Sequence, residues 1–96
     1  KDNVVEDIEA LSKAYMELVR QGVEALFDAD TALANEVINN VDGMHSRVEE
    51  LHSSILQLES HETMISLGTV VDSLARIGDL GSNIAEIAIN SAVVNK

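Results

Sequence analysis

Apolar residues recur in steps of four and three along almost the whole chain, and that spacing constrains the fold more than any other feature. In the first stretch the series is Val4, Ile8, Leu11, Tyr15, Leu18, Gly22 and Ala25, with Val5, Val19 and Leu26 widening it into a stripe. The second series is Val37, Val41, Met44, Val48, Leu51, Ile55 and Leu58, with Gly43 off the seam. The third is Leu67, Val70, Leu74, Ile77, Gly81, Ile84, Ala88 and Ser91. Residues three and four apart share one side of a helix, so each series writes a seam that must be buried against another helix. No residues alternate with period two over a useful length, so no strand is expected. Two polar breaks separate the stretches. In "DADT" (28–31), Asp30 or Thr31 can cap the next helix, and in "ESHET" (59–63) Ser60 can cap, with Glu62 near the N-terminal end of the helix dipole. The expected fold is all-α, an up-down-up antiparallel three-helix bundle. It is one domain over residues 1–96, with helices at about 2–28, 31–59 and 61–94.

Two glycines sit inside the third helix, in "ARIGDLGSNIAEIAIN" (75–90), where each costs about 1 kcal/mol against alanine. Gly81 is on the seam; Gly78 is on the neighbouring row with Val71, Ala85 and Ala92. Small residues at this spacing let another backbone come close, so a tight helix–helix contact is expected along Gly78, Gly81 and Ala85.

Composition narrows the function. Seventeen acids face six Lys and Arg, a formal charge of −11. Nucleic-acid binding through this domain is excluded, because phosphate contacts need basic side chains. Basic partners and cations are the electrostatic candidates. With no cysteine there is no disulfide, zinc-thiolate site or cysteine nucleophile in this sequence. No apolar run reaches the length of a membrane span, so no membrane insertion is expected. No stretch has the order of a signal peptide. The chain opens on Lys1, close to helical pattern, which is compatible with a piece of a longer protein. No serine lies in a nucleophile elbow and no phosphate-cradling glycine loop precedes a helix, so the chain reads as non-enzymatic, with no catalytic residues.

Two clusters have metal-ligand chemistry. Asp72, Asp79 and Glu86 recur every seven residues, with Asn83 and Asn90 one turn beyond the last two. Residues seven apart are about 10 Å apart along the axis and cannot share one ion, so they offer half-sites that a second helix or subunit completes. His45, Glu49 and His52 lie on one side of the second helix, and Glu49-x-x-His52 has the spacing of carboxylate-bridged sites in helical bundles. His61 at the break reads as an exposed turn residue.

The string "ARIGDLGSNIAE" (75–86) resembles the signature of PhoU domains, a helix close to E-R-I-G-D-x-x-x-N-I-A-E. "ALFDADTALANEVINNVDGMHSRVEEL" (25–51) is similar to the family's first-to-second-helix region, with Asp28 or Asp30, Leu33, Ala34, Val37, Ile38 and Asp42 in the patterned places. The resemblance covers about residues 14–90, and the wording looks most like archaeal members, some of which carry an AbrB-like DNA-binding module. It implies a cytoplasmic, helical regulator of phosphate uptake and signalling that acts by protein–protein contact, with a phosphate transporter's ATPase or a related signalling protein as partner. It implies Arg76, Gly78, Asp79, Gly81, Asn83 and Glu86 as the motif residues. Asp79 and Asn83 are expected to bond each other or a neighbouring helix, and Arg76 to pair with an acid there. Some members bind iron or zinc through E/D-x-x-x-D; here Ala75 stands at the first position, so no cofactor is required. Asp72, Asp79 and Glu86 remain the candidate ligands for iron, zinc or another divalent metal. Members usually hold two three-helix repeats where this chain has one. A homodimer would rebuild the double bundle, with the Gly78/Gly81 face as its contact; otherwise a second repeat belongs to a longer parent chain. The alternatives are a metal-binding helical bundle, or a regulatory domain of a larger transporter or transcription regulator.

Overall fold

A computed structural model describes residues 3–94. The chain runs as α1 (Asn3–Asp28), α2 (Thr31–Gly43), α3 (His45–Ile55) and α4 (His61–Val94). It is all-α, with no strand among the described residues. α1 runs up, α2 and α3 together run down, and α4 runs up, so α1 and α4 lie parallel in a rod of 56 × 17 × 17 Å.

The first seam is buried as spaced. Val4, Leu11, Tyr15, Leu18, Gly22 and Ala25 all face inward, and Ile8 packs against them half-buried. Of the residues expected to widen the stripe, Val19 and Leu26 are half-buried, whereas Val5, on the same row near the start of α1, is exposed. The second seam is also inward: Val37, Val41, Met44, Leu51 and Ile55 are buried, and Val48 and Leu58 pack at the margin.

The second stretch is not the single helix expected over 31–59. It breaks at Met44, whose N–H reaches back three residues to Val41 O at 3.1 Å. Asn39, Asn40, Asp42 and Gly43 precede the break, and all four are weak helix formers whose side chains compete for, or whose absent side chain fails to shield, the backbone. Helical bonding resumes at once, with Val48 N–H donating to Met44 O at 3.1 Å, so Met44 stays in the core. α3 then stops at Ile55, four residues short of the expected end. Gln57 and Leu58 N–H groups bond three residues back in a tightened turn.

The turns carry the caps the sequence offered. Asp30 caps α2, its carboxylate accepting from Leu33 N–H at 3.0 Å, and Ser60 Oγ accepts from Thr63 N–H at 3.1 Å ahead of α4. α1 ends with Ala29 at φ 53°, Asp30 N–H bonding Ala25 O and Ala29 N–H bonding Leu26 O. This is a Schellman turn whose left-handed position suits glycine. Ala29→Gly is therefore expected to stabilise the fold by about 1 kcal/mol. A thermal melt should show a midpoint raised by roughly 4–8 °C; an unchanged or lower midpoint would contradict the left-handed assignment.

In α4 the core face is turned from the expected seam. Leu74, Gly81 and Ala88 are on the inner side, but their partners are Val71, Gly78 and Ala85, each fully or nearly fully buried. Val70 is exposed, Ile77 and Ile84 are half-buried, and Ser91 is at the margin. Size explains the rotation. The four-and-three spacing fits the large aliphatics at 70, 77 and 84 as well, whereas the core places the small residues of the next row against α1.

Candidate functional site

α1 and α4 approach each other closely, and the contact is built from glycine. A β-carbon added to Gly78 would lie within 2.2 Å of Tyr15 Cε1 and 2.5 Å of Cδ1. One added to Gly81 would meet the α1 backbone at Val19 Cα, 3.4 Å away, and one added to Gly22 would meet Gly81 O at 3.0 Å. The expected tight contact along Gly78, Gly81 and Ala85 is thus present, and α1 of the same chain fills it. That corrects the expected dimer contact: the Gly78/Gly81 face is buried inside one bundle and is not available to a second subunit.

The glycines position the motif around them. With Gly78 and Gly81 facing in, Asp72, Asp79 and Glu86 emerge along one flank of α4, which meets α3 at Asp72, while Arg76 and Asn83 point away from the bundle, and all five are exposed. Asp72 Oδ1 meets His52 Nε2 at 2.9 Å, a pair that ties α4 to α3. Asp79 and Asn83 do not bond each other, and among the described residues Arg76, Asp79, Asn83 and Glu86 have no side-chain partner. The reason is geometric. Residues 79 and 83 are one turn apart on an exposed ridge, where water competes for both, and no neighbouring helix reaches the outer side of α4.

Tyr15 links the ridge to the core. It is the largest fully buried side chain among the described residues. Burial pushes its phenol above the ordinary tyrosine value, the Asp79 charge adds to this, and Arg47 on α3 opposes it. The charge of Asp79 thus acts on the phenol whose ring Gly78 seats. A charge network on α1 is peripheral: Arg20 Nη2 and Nη1 contact Glu17 (2.6 Å) and Glu24 (3.1 Å), which raises the guanidinium pKa and lowers that of Glu17. Exposed pairs of this type add little stability.

The two metal-ligand clusters come together at one point, His52 with Asp72. His45 and Glu49 stay exposed on α3, and Asp79 and Glu86 lie successive double turns away along α4. No three His, Asp or Glu side chains converge on one ion among the described residues. The donor set of a single chain therefore does not fit the metal cluster found in some proteins of this type, since at least three ligands are needed.

The sequence profile of the PhoU domain matches residues 8–88. The chain belongs to the PhoU domain family. No curated protein and no solved structure matches the chain significantly. PhoU domains are non-catalytic, and this one presents no catalytic constellation among its described residues. No described helix is long and apolar enough to cross a membrane. The motif string itself does not show the division of labour among its residues. The glycines seat Tyr15 and the charged residues face out. The signal was available in the Tyr15-to-Gly78 pairing of two seams, but the register between helices is not written in either one.

Proposed function

We propose that this PhoU domain regulates phosphate uptake and signalling in the cytoplasm by docking the exposed ridge of α4 on a partner, a phosphate transporter's ATPase or a related signalling protein. The observation that supports this most is the unpaired state of Arg76, Asp79, Asn83 and Glu86 in a chain whose family is regulatory. Four polar side chains stand within three turns of a rigid helix, held at fixed spacing by the glycine contact beneath. Residues with no duty inside the fold are free to bond across an interface, and a rigid element holds them in place at small entropic cost. The acids Asp72, Asp79 and Glu86 on this flank favour a partner surface with Arg or Lys.

The test is affinity for the transporter's purified ATPase subunit, read by calorimetry. Asp79→Ala and Arg76→Ala are expected to weaken binding by about tenfold or more each, since truncating one side of an interfacial charge pair costs more than about 1.4 kcal/mol. Both positions are exposed, so circular dichroism and melting should stay at wild-type values. Wild-type affinity in both variants would remove the α4 ridge as the docking site.

A further inference from the structure

Of the buried side chains among the described residues, only Tyr15 carries an oxygen or a nitrogen. It is 1% exposed, and no side-chain hydrogen bond among those residues reaches its hydroxyl. A polar atom shut inside a core without a partner costs free energy, and the described residues hold no such atom. The hydroxyl therefore lies at the rim of the core, mostly out of water yet open to a donor from outside. Gly78 fixes its place on that rim. Cζ, the ring carbon that bears the hydroxyl, lies 3.0 Å from where a Gly78 β-carbon would stand. Asp79 follows Gly78 in α4, and its charge acts on the phenol together with that of Arg47 in α3. The hydroxyl thus comes out toward the seam of α3 and α4, which His52 and Asp72 close further along. Ala75 lies one turn from both Asp72 and Asp79, so only a methyl group stands between the two acids on that flank.

We propose that the Tyr15 hydroxyl and the Asp79 carboxylate together hold an arginine side chain of the docking partner. This rests on the α4 docking reading above and names the group that the partner brings. The two acceptors differ: the carboxylate is charged and exposed, the phenol oxygen neutral and drawn into the core. A guanidinium suits both, because its planar fork of N–H groups donates to two oxygens at once and gives up its water more readily than an ammonium. An anion is repelled by a chain of formal charge −11. An apolar side chain would strip water from the hydroxyl and leave it unbonded. Arg47 opposes a second cation, but it lies in a cleft with Asp7 and Glu50, and with Asp79 these acids outweigh it. Gly78 seats the ring rigidly, so the hydroxyl is held for the incoming group at small entropic cost.

Tyr15 is the only tyrosine in the sequence, so protein isotopically labelled at tyrosine Cζ gives one nuclear magnetic resonance signal that reports this hydroxyl. N-acetyl-arginine amide should move that signal, N-acetyl-lysine amide should move it far less, and Asp79→Ala should abolish the movement. In calorimetry against the transporter's ATPase subunit, Tyr15→Phe keeps the ring and should weaken binding by about tenfold, as loss of a hydrogen bond to a charged group does. Tyr15→Phe combined with Asp79→Ala should bind little worse than Asp79→Ala alone, because both remove bonds to one guanidinium. Wild-type ATPase affinity in Tyr15→Phe overturns the inference; if Asp79→Ala still weakens binding, the docking reading stands without it. Fully additive losses in the double variant overturn it too. If the wild-type chain does not bind the ATPase, the docking reading fails. The arginine site then stands if the arginine amide alone moves the Cζ signal, and falls if neither amide does or both do equally.

Discussion

Replacing Gly78 with alanine is expected to destabilise the domain by about 2 kcal/mol, although glycine-to-alanine changes inside helices usually stabilise. The new methyl carbon would stand 2.2 Å from Tyr15 Cε1, far inside van der Waals contact. The ring cannot swing away, because Tyr15 is 1% exposed and enclosed on all sides. α1 and α4 must separate instead, which also loosens the Gly22–Gly81 approach above it. Helix propensity returns about 1 kcal/mol of the overpacking cost, which leaves the net figure and a melting midpoint lower by on the order of 10 °C. Gly68 is the internal control. It lies in the same helix, and nothing comes within 4 Å of an added β-carbon, so Gly68→Ala should stabilise by about 1 kcal/mol. Shortening the ring by Tyr15→Leu should relieve most of the Gly78→Ala cost, a coupling that a double-mutant cycle measures. If Gly78→Ala melts at or above the wild-type temperature, the close packing of α1 on α4 is wrong.

The same contact shows what the sequence made legible and what it did not. Steps of four and three identify α1 almost residue by residue, because six of its seven seam positions are buried. The caps at Asp30 and Ser60 were readable because capping is local: donor and acceptor lie three residues apart. In α4 the pattern is ambiguous. Val70, Ile77 and Ile84 form one heptad row, and Val71, Gly78 and Ala85 form the next. Hydrophobicity ranks the first row as core, while the fold buries the second. The choice is made by Tyr15, more than sixty residues away, whose ring needs the space that glycine leaves. No window of sequence contains that fact. The break at Met44 was missed for the converse reason. The seam runs through it without a fault, and only the backbone weakness of Asn39, Asn40, Asp42 and Gly43 marks it. The arrangement of the motif residues is not legible in their order. Gly78 and Asp79 are neighbours in sequence, yet one is buried in the core and the other is exposed to solvent. Once the second row is buried, the first is left exposed or half-buried.

Tyr15 is the side chain on which this arrangement turns, and Tyr15→Ala is expected to cost about 3–5 kcal/mol. The chain has two aromatic residues, and they occupy opposite environments. Tyr15 is 1% exposed and Phe27 is 83% exposed. Removing the enclosed ring leaves a cavity between Gly78 and the rest of the core that backbone glycine cannot fill. A domain of this size holds about 5–15 kcal/mol in total and sits toward the lower end, so much of the population should be unfolded or loosely packed. Urea titration followed by helical circular dichroism should show a sharply lowered midpoint. Phe27→Ala, measured on the monomer, should stay within about 0.5 kcal/mol of wild type. Tyr15→Phe separates ring from hydroxyl. The phenol is held above its ordinary value by burial and by Asp79, so in wild type the unfolded chain ionises first as pH rises past about 10. Above that pH the native state binds the extra proton and stability falls until the buried phenol also ionises. Tyr15→Phe keeps the packing and lacks this titration, so it should match wild type at neutral pH and lose less stability under alkaline conditions. Equal alkaline loss in the two proteins would mean that the Tyr15 hydroxyl is solvated and that the Asp79 charge does not act on it.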